Sequence, residues 1–276
     1  MVEVREWGRD DTVRFLRVPG PADDKYSRGV VAVRTGSAEY PGAAVLSVEA
    51  AWRAGAGYVR YVGSAADAVL ARRPETVASS DIGRTRADAW VIGSGTDAAA
   101  RTPEETDALR LILDGTVPVI VDAGALDLAP GATAPVLATP HAGELVRLRE
   151  RLQLAPEGSG DRAADAAQTA GALGRTVLLK GASTLVAASD GSVISVSRAP
   201  GWLATAGAGD VLGGMLGALV AANPDAALAE TAAAGAWLHG HAARFAAGMA
   251  DGGRGRPIVA LDVAEALPHA IADLLS

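Results

Sequence analysis

Apolar positions along this chain switch repeatedly between two rhythms. Short runs rich in β-branched residues cover Val30 to Thr35, Tyr58 to Val62, Ala89 to Ile92, Val119 to Asp122, Val136 to Ala138 and Thr176 to Lys180. Between them lie segments with apolar positions three and four apart, about Gly42 to Gly55, Ala65 to Arg73, one opening at Thr102, one from Ala142, and Asp161 to Leu173. The first rhythm predicts strands and the second helices. Thr102 with Glu105 three residues on, and Pro103 between them, marks a helix start: a capping box with proline at the first helical position. Alternating strands and helices predict an α/β fold with a mostly parallel sheet covered by helices on both faces. After Lys180 the rhythm changes to two short strands, Thr184 to Ala188 and Val193 to Val196, and Asp190-Gly191 between them predicts a hairpin. Helices over Val211 to Ala222, Ala226 to Ala247 and roughly Asp262 to Leu275 close the chain.

The stretch Thr205-Ala206-Gly207-Ala208-Gly209-Asp210 stands directly before one of those helices. A helix opening there presents unpaired N–H groups and its positive dipole end, and the glycines let a phosphate approach the backbone. Asp210 is then out of place unless it binds a cation or takes a proton from the group being phosphorylated. On the local residues alone, a plain helix cap with a glycine turn explains the stretch equally well. Open parallel sheets bind ligands beyond the carboxyl ends of their strands. Polar groups gather at those ends: Gly36-Ser37, Gly93-Ser94-Gly95-Thr96, Asp122, Thr139-Pro140-His141 and Lys180 to Thr184. Taken singly, each has an ordinary explanation as a turn, a cap or a surface charge; their shared placement points to a site.

Composition narrows the options. The 276 residues show no linker and fit one domain spanning 1–276, with residues 1–24 as an N-terminal extension. The net charge of −7 is spread over mixed acidic and basic residues, which argues against nucleic acid as a partner. The absence of cysteine excludes disulfides and thiolate chemistry and suits a reducing cytoplasm. Met1 to Glu6 lacks a signal-peptide core. The one long uncharged apolar stretch, after Asp210, carries Gly213, Gly214 and Gly217, so a closely packed core helix is expected rather than a membrane span. His239 and His241, two apart on a helix, point in different directions and are expected to pack rather than share a metal. Trp202 could border a nucleotide, though a hydrophobic anchor is the simpler role.

Together, Lys25 to Gly29, Tyr40 to Ala44, Ala54 to Gly57, Val121 to Leu126, Thr139 to Glu144, Leu179 to Thr184, Leu203 to Asp210 and Leu238-His239-Gly240 resemble the ADP- or ATP-dependent NAD(P)H-hydrate dehydratase family of the ribokinase-like superfamily. The resemblance implies a ribokinase-like fold and the ADP-dependent return of NADHX and NADPHX, the hydrated coenzymes, to NADH and NADPH with release of AMP and phosphate. It places Lys180, Gly181, Ala182, Ser183, Thr184, Gly207, Ala208 and Gly209 on the nucleotide. It places Ala43, Gly95, His141 and Asp210 around the hydrate, with Asp210 as catalytic base and Lys180 as a cationic partner for phosphate. It further implies Mg²⁺ with unassigned ligands, a homo-oligomer of the tetrameric kind, and a separate epimerase, since family members also occur fused to one and this length leaves no room for it. Ala208 replaces a frequent serine, Ala142 a frequent proline and Asp24 a frequent histidine; the backbone N–H at 208, which the loop geometry uses, is retained. Two other functions use the same loop: a ribokinase-like kinase of a small alcohol or vitamin precursor, and a non-catalytic nucleotide sensor. The motifs at Tyr40 to Ala44 and Thr139 to Glu144 favour the dehydratase, because ribokinase-like enzymes do not share them generally.

Overall fold

The β-branched runs become one sheet whose residues point alternately into two apolar layers. The structure is a computed structural model, and it describes residues 2–80, 82, 86–156, 158–249 and 252–276. Among these, the strands are β1 (Val4–Glu6), β2 (Val30–Arg34), β3 (Tyr58–Val62), β4 (Val77–Ser79), β5 (Ala89–Ile92), β6 (Val119–Val121), β7 (Val136–Ala138), β8 (Thr176–Leu179), β9 (Thr184–Ala187) and β10 (Val193–Val196). The helices are α1 (Arg9–Val13), α2 (Pro41–Arg53), α3 (Ala66–Arg72), α4 (Pro103–Leu113), α5 (Ala142–Arg151), α6 (Arg162–Leu173), α7 (Ala208–Ala222), α8 (Leu228–Ala246) and α9 (Ala260–Leu275). The sheet order is β1-β10-β9-β8-β7-β6-β5-β2-β3-β4. Only β9 runs against its neighbours, as the second arm of the β8–β9–β10 meander; every other pairing is parallel.

Side chains on a strand alternate between faces. Accordingly Val31, Val33, Val91, Ile120, Leu137 and Leu178 join α2, α7, α8 and α9 in one core. Ala32, Trp90, Ile92, Val119, Val121 and Val177 join α4, α5 and α6 in the other. Both faces are therefore dry, as a parallel sheet requires.

The glycines of α7 do what their spacing suggested. A Cβ at Gly214 would lie 1.9 Å from the Ser47 carbonyl oxygen of α2, and one at Gly217 would lie 2.6 Å from Val91 on the sheet. Side chains there would push apart the two helices and the sheet that position the loop before α7. Thr102 caps α4, its hydroxyl accepting from the Glu105 N–H at 3.2 Å, but the expected capping box does not close, because the Glu105 carboxylate pairs with Arg34 instead. The hairpin at Asp190-Gly191 forms with Gly191 at φ 90°, in the left-handed region that glycine allows.

The sequence reading does not include α1, β4 or the 3-10 segment Ala123–Leu128, and two further features differ from it. Residues 4–6 add an edge strand beside β10, so part of the N-terminal extension is built into the sheet. Helix α7 starts at Ala208 rather than Val211, because left-handed Gly207 (φ 86°) ends the loop and lets residues 208–210 become the first helical turn. Asp210 consequently sits inside that turn.

Candidate active site

Strands β8, β7, β6 and β5 are neighbours, so the residues that follow them stand in a row beyond the sheet edge: Lys180, Thr139 to His141, Asp122, and Ser94. Asp122, nearly buried, is the hub of that row. It receives the Lys180 ammonium at 2.7 Å and the Thr139 hydroxyl at 2.9 Å on Oδ1, and the Ser94 hydroxyl at 3.2 Å on Oδ2. Lys180 also approaches Glu144 at 3.6 Å. Burial works to lower the Lys180 pKa, but the carboxylates of Asp122 and Glu144 outweigh it and hold the ammonium above its ordinary value.

The first turn of α7 completes the cluster. Burial, with the Asp122 carboxylate second, pushes Asp210 up to about 6, while the Ser94 hydroxyl and Lys180 hold it back. A carboxylate with that affinity is ionised at neutral pH yet keeps an appreciable pull on a proton, as a general base requires. A Cβ at Gly209 would stand 3.5 Å from Lys180 Nζ and 3.6 Å from Asp122 Oδ2. Glycine there keeps the gap open for a ligand to approach both the backbone and the charged groups.

His141 enters by its backbone and its ring. Its Nδ1 accepts from the N–H groups of Gly143 (3.0 Å) and Glu144 (3.3 Å), and Glu144 returns the bond by accepting from His141 N at 2.7 Å. This capping box fixes Glu144 beside Lys180. Ala43 and Gly95 also meet: a Cβ on Gly95 would lie 2.5 Å from that of Ala43 and 3.0 Å from the Gly36 Cα.

A cleft of about 560 Å³ runs from this cluster between the β8–β9 turn and the start of α7, lined by Lys180, Gly181, Ala182, Thr184, Ala208 and Gly209 among others. His141 borders it as well. Ser183 turns elsewhere, its hydroxyl bonding those of Ser195 and Ser197. Gly207 acts as the hinge of the turn, with Leu46 of α2 against it. On the other side of Ser94, a second cleft of about 630 Å³ is lined by Gly36, Ser37, Tyr40, Thr96 and Asp97.

The family model described as NAD(P)H-hydrate dehydratase matches residues 31–253. The chain belongs to the NAD(P)H-hydrate dehydratase family. It is 38% identical over 244 residues to an ADP-dependent (S)-NAD(P)H-hydrate dehydratase of Neisseria meningitidis, with 81% of this chain and 80% of that protein covered. It is 48% identical over 216 residues to a bifunctional NAD(P)H-hydrate repair enzyme of Mycobacterium tuberculosis, covering 75% of this chain and 44% of the relative, so the chain spans less than half the length of that protein. The structure of an ADP/ATP-dependent NAD(P)H-hydrate dehydratase from Bacillus subtilis, co-crystallized with ATP/Mg²⁺, superimposes with a TM-score of 0.84 at 26% identity, covering 98% and 99% of the two chains. The ribokinase-like fold follows.

Within this dehydratase-family site, several features escape a reading of the sequence. Asp122 is one of the strand-end groups the sequence does single out, but its partners appear only when the sheet order brings Lys180, Thr139 and Ser94 onto it. Leu212, Ala236 and His239 line the cleft beside Lys180 from helices whose faces the sequence does not orient. Trp202 stays 41% exposed and donates to the Arg254 carbonyl at 3.2 Å, while its neighbours Gly201 and Leu203 face the cleft. His241 packs between Trp237 and Phe245 and bonds Arg198 and Asp273, a packing role in keeping with its sequence setting.

His239 is buried, and burial lowers its pKa to about 4 against a smaller opposing effect of the Ala208 backbone. In the unfolded chain the same imidazole titrates near its ordinary value of about 6.5. The unfolded state therefore binds the extra proton first, and stability is lost as pH falls from about 6.5 toward 4. Melting temperatures of the wild type and His239→Gln between neutral and acidic pH test this. The wild type should lose more on acidification; parallel curves would remove His239 from the acid response.

Proposed function

We propose that the chain catalyses the ADP-dependent dehydration of the S-epimer of NADHX and NADPHX, giving NADH and NADPH with release of AMP and phosphate. The observation that carries this reading is the position of Asp210, a half-buried carboxylate of raised proton affinity in the first turn of a phosphate-type helix, beside the Asp122–Lys180 pair. ADP fits the cleft between the β8–β9 turn and α7, with its phosphates toward the Gly207 to Gly209 backbone and Lys180. The hydrate fits beyond Asp210, toward Ala43, Gly95 and His141.

Hydroxide is a poor leaving group, which explains why a kinase-like site suits a dehydration. Asp210 accepts the proton of the ring hydroxyl as its oxygen attacks the terminal phosphorus of ADP, and AMP departs. Phosphate then leaves the ring carbon, a proton leaves the neighbouring carbon, and the dihydropyridine double bond returns. The amides of the α7 turn meet the charge that develops on the transferring group. Magnesium fits as an ion carried on the phosphates: among the described residues no three His, Asp or Glu side chains converge, and Lys180 already engages Asp122 and Glu144. Phosphate oxygens and water would supply most of its ligands, and when bound it offsets phosphate charge. A homotetrameric assembly, cooperation with a separate epimerase and a cytoplasmic setting complete the proposal.

Purified protein given NADPHX, Mg²⁺ and ADP should regenerate absorbance near about 340 nm, set by the dihydronicotinamide chromophore. AMP and phosphate should accumulate in step. Recovery that proceeds equally well without nucleotide refutes the coupled mechanism; phosphorylation of another alcohol with no recovery of NADPH supports a small-molecule kinase instead.

A further inference from the structure

We infer that Arg147 and Arg151 of α5 form an anion subsite that holds a phosphate of the dinucleotide substrate. The inference rests on the dehydratase reading for the identity of that substrate. A third cleft, of about 420 Å³, opens between α5 and the 3-10 segment Ala123–Leu128 that follows β6. Its inner wall contains Glu144 and Gly124, and its outer rim carries Arg147 and Arg151, both exposed. The two arginines are four residues apart and share one face of the helix.

The charges in this cleft are unevenly committed. Arg101 grips Asp127 with both arms, at 2.9 and 2.6 Å, and bonds the Gly124 carbonyl at 2.6 Å. Glu144 is spoken for by Lys180 and by the His141 N–H. Asp97 accepts from the Ala99 N–H at 2.9 Å. Among the described residues no side chain or backbone group bonds the Arg147 guanidinium, and Arg151 reaches Asp127 only at 3.8 Å with its side chain 55% exposed. Two guanidiniums are thus left facing a cleft whose acidic groups are otherwise paired, apart from Asp97. Guanidinium forks match phosphate oxygens in geometry as well as charge.

The wall opposite is built tightly. Ala123 takes φ 45°, a left-handed conformation that is costly for alanine. A Cβ on Gly124 would fall 2.2 Å from the Thr96 carbonyl. The strained Ala123 and the Arg101 clamp hold this wall in place beside the residues that flank Asp122 and Ser94. Helix α5 rises about 1.5 Å per residue, so the arginines stand roughly 5–10 Å along it from Glu144. Glu144 in turn approaches Lys180 at 3.6 Å, so the arginines share a helix with a residue of the Asp122–Lys180 cluster. Both the pyrophosphate and the 2′-phosphate of NADPHX supply the required chemistry.

Equilibrium binding of NADPH and NADH, read by dihydronicotinamide fluorescence on the full chain, tests the subsite. At low salt the Arg147→Ala/Arg151→Ala double variant should bind NADPH about tenfold or more weakly, with a smaller loss at high salt. Affinity for ADP, bound in the other cleft, should stay at the wild-type level and so report an intact fold; if the double variant loses it, the single variants give the reading. Equal losses for NADH and NADPH assign the subsite to the pyrophosphate, and a loss confined to NADPH assigns it to the 2′-phosphate. Unchanged affinity for both dinucleotides at low salt overturns the subsite, as does a wild type that binds neither. The turnover assay separates the two failures: NADPHX turned over by the wild type, with unchanged dinucleotide affinity in the variant, sinks the subsite alone, whereas absence of turnover sinks the dehydratase reading.

Discussion

Asp210→Asn should lower turnover of NADPHX by about 10²–10⁴-fold while ADP binding survives, since the amide keeps the shape of the carboxylate and cannot accept the proton. Its stability should move the other way. An acid whose folded pKa is raised favours folding while protonated, and that contribution is lost as pH rises through the folded value, here about 6. At pH 8 the ionised Asp210, half-buried beside Asp122, therefore costs stability on the order of a few kcal/mol. The neutral amide removes this cost, so the variant should melt at or above the wild-type temperature at that pH. Activity and stability opposing each other at one residue is the mark of a functional group rather than a helix cap. A plain cap would show the reverse, with activity nearly intact and the melting temperature lowered. The wild type should also lose kcat/KM as pH drops through about 6, where Asp210 takes up its proton.

How far the sequence foretells this arrangement depends on the range over which each feature is decided. Val30 to Thr35 reads as a strand and Thr102 as a cap because both depend on neighbours within a few residues. The α7 glycines are equally legible, since a helix with Gly213, Gly214 and Gly217 has little reason to carry them unless something presses on its backbone, and Ser47 does. Residues 4–6 form a strand only because β10 offers an open edge 190 residues later in the chain, which no local pattern announces. Asp122 is a similar case: its neighbours in sequence say only that a strand ends there. Its role emerges when β5, β7 and β8 bring Ser94, Thr139 and Lys180 onto its two oxygens. The resemblance assigns Lys180 to the nucleotide but says nothing of the carboxylates of Asp122 and Glu144 beside which the structure sets it.

Those carboxylates make Lys180→Met the second informative substitution. As a simple phosphate contact, Lys180 would affect ADP affinity alone. The observed pairing predicts more, because methionine leaves Asp122 nearly buried beside Asp210 without its cation. Breaking a buried pair by removing one partner costs about 3–5 kcal/mol, and the partial exposure of the ammonium places the expected loss toward the lower end. Some of that loss is avoided if a carboxylate takes up a proton. Lys180 is one of the two groups that restrain the Asp210 pKa, so the acidic limb of the kcat/KM profile should move above its wild-type position near about 6. ADP affinity should also fall at low salt, with less loss at high salt where phosphate contacts are already screened. The limb is the decisive reading: a weaker ADP affinity with an unshifted limb would reduce Lys180 to a phosphate contact. A shifted limb places it in the carboxylate cluster that sets the proton affinity of the base.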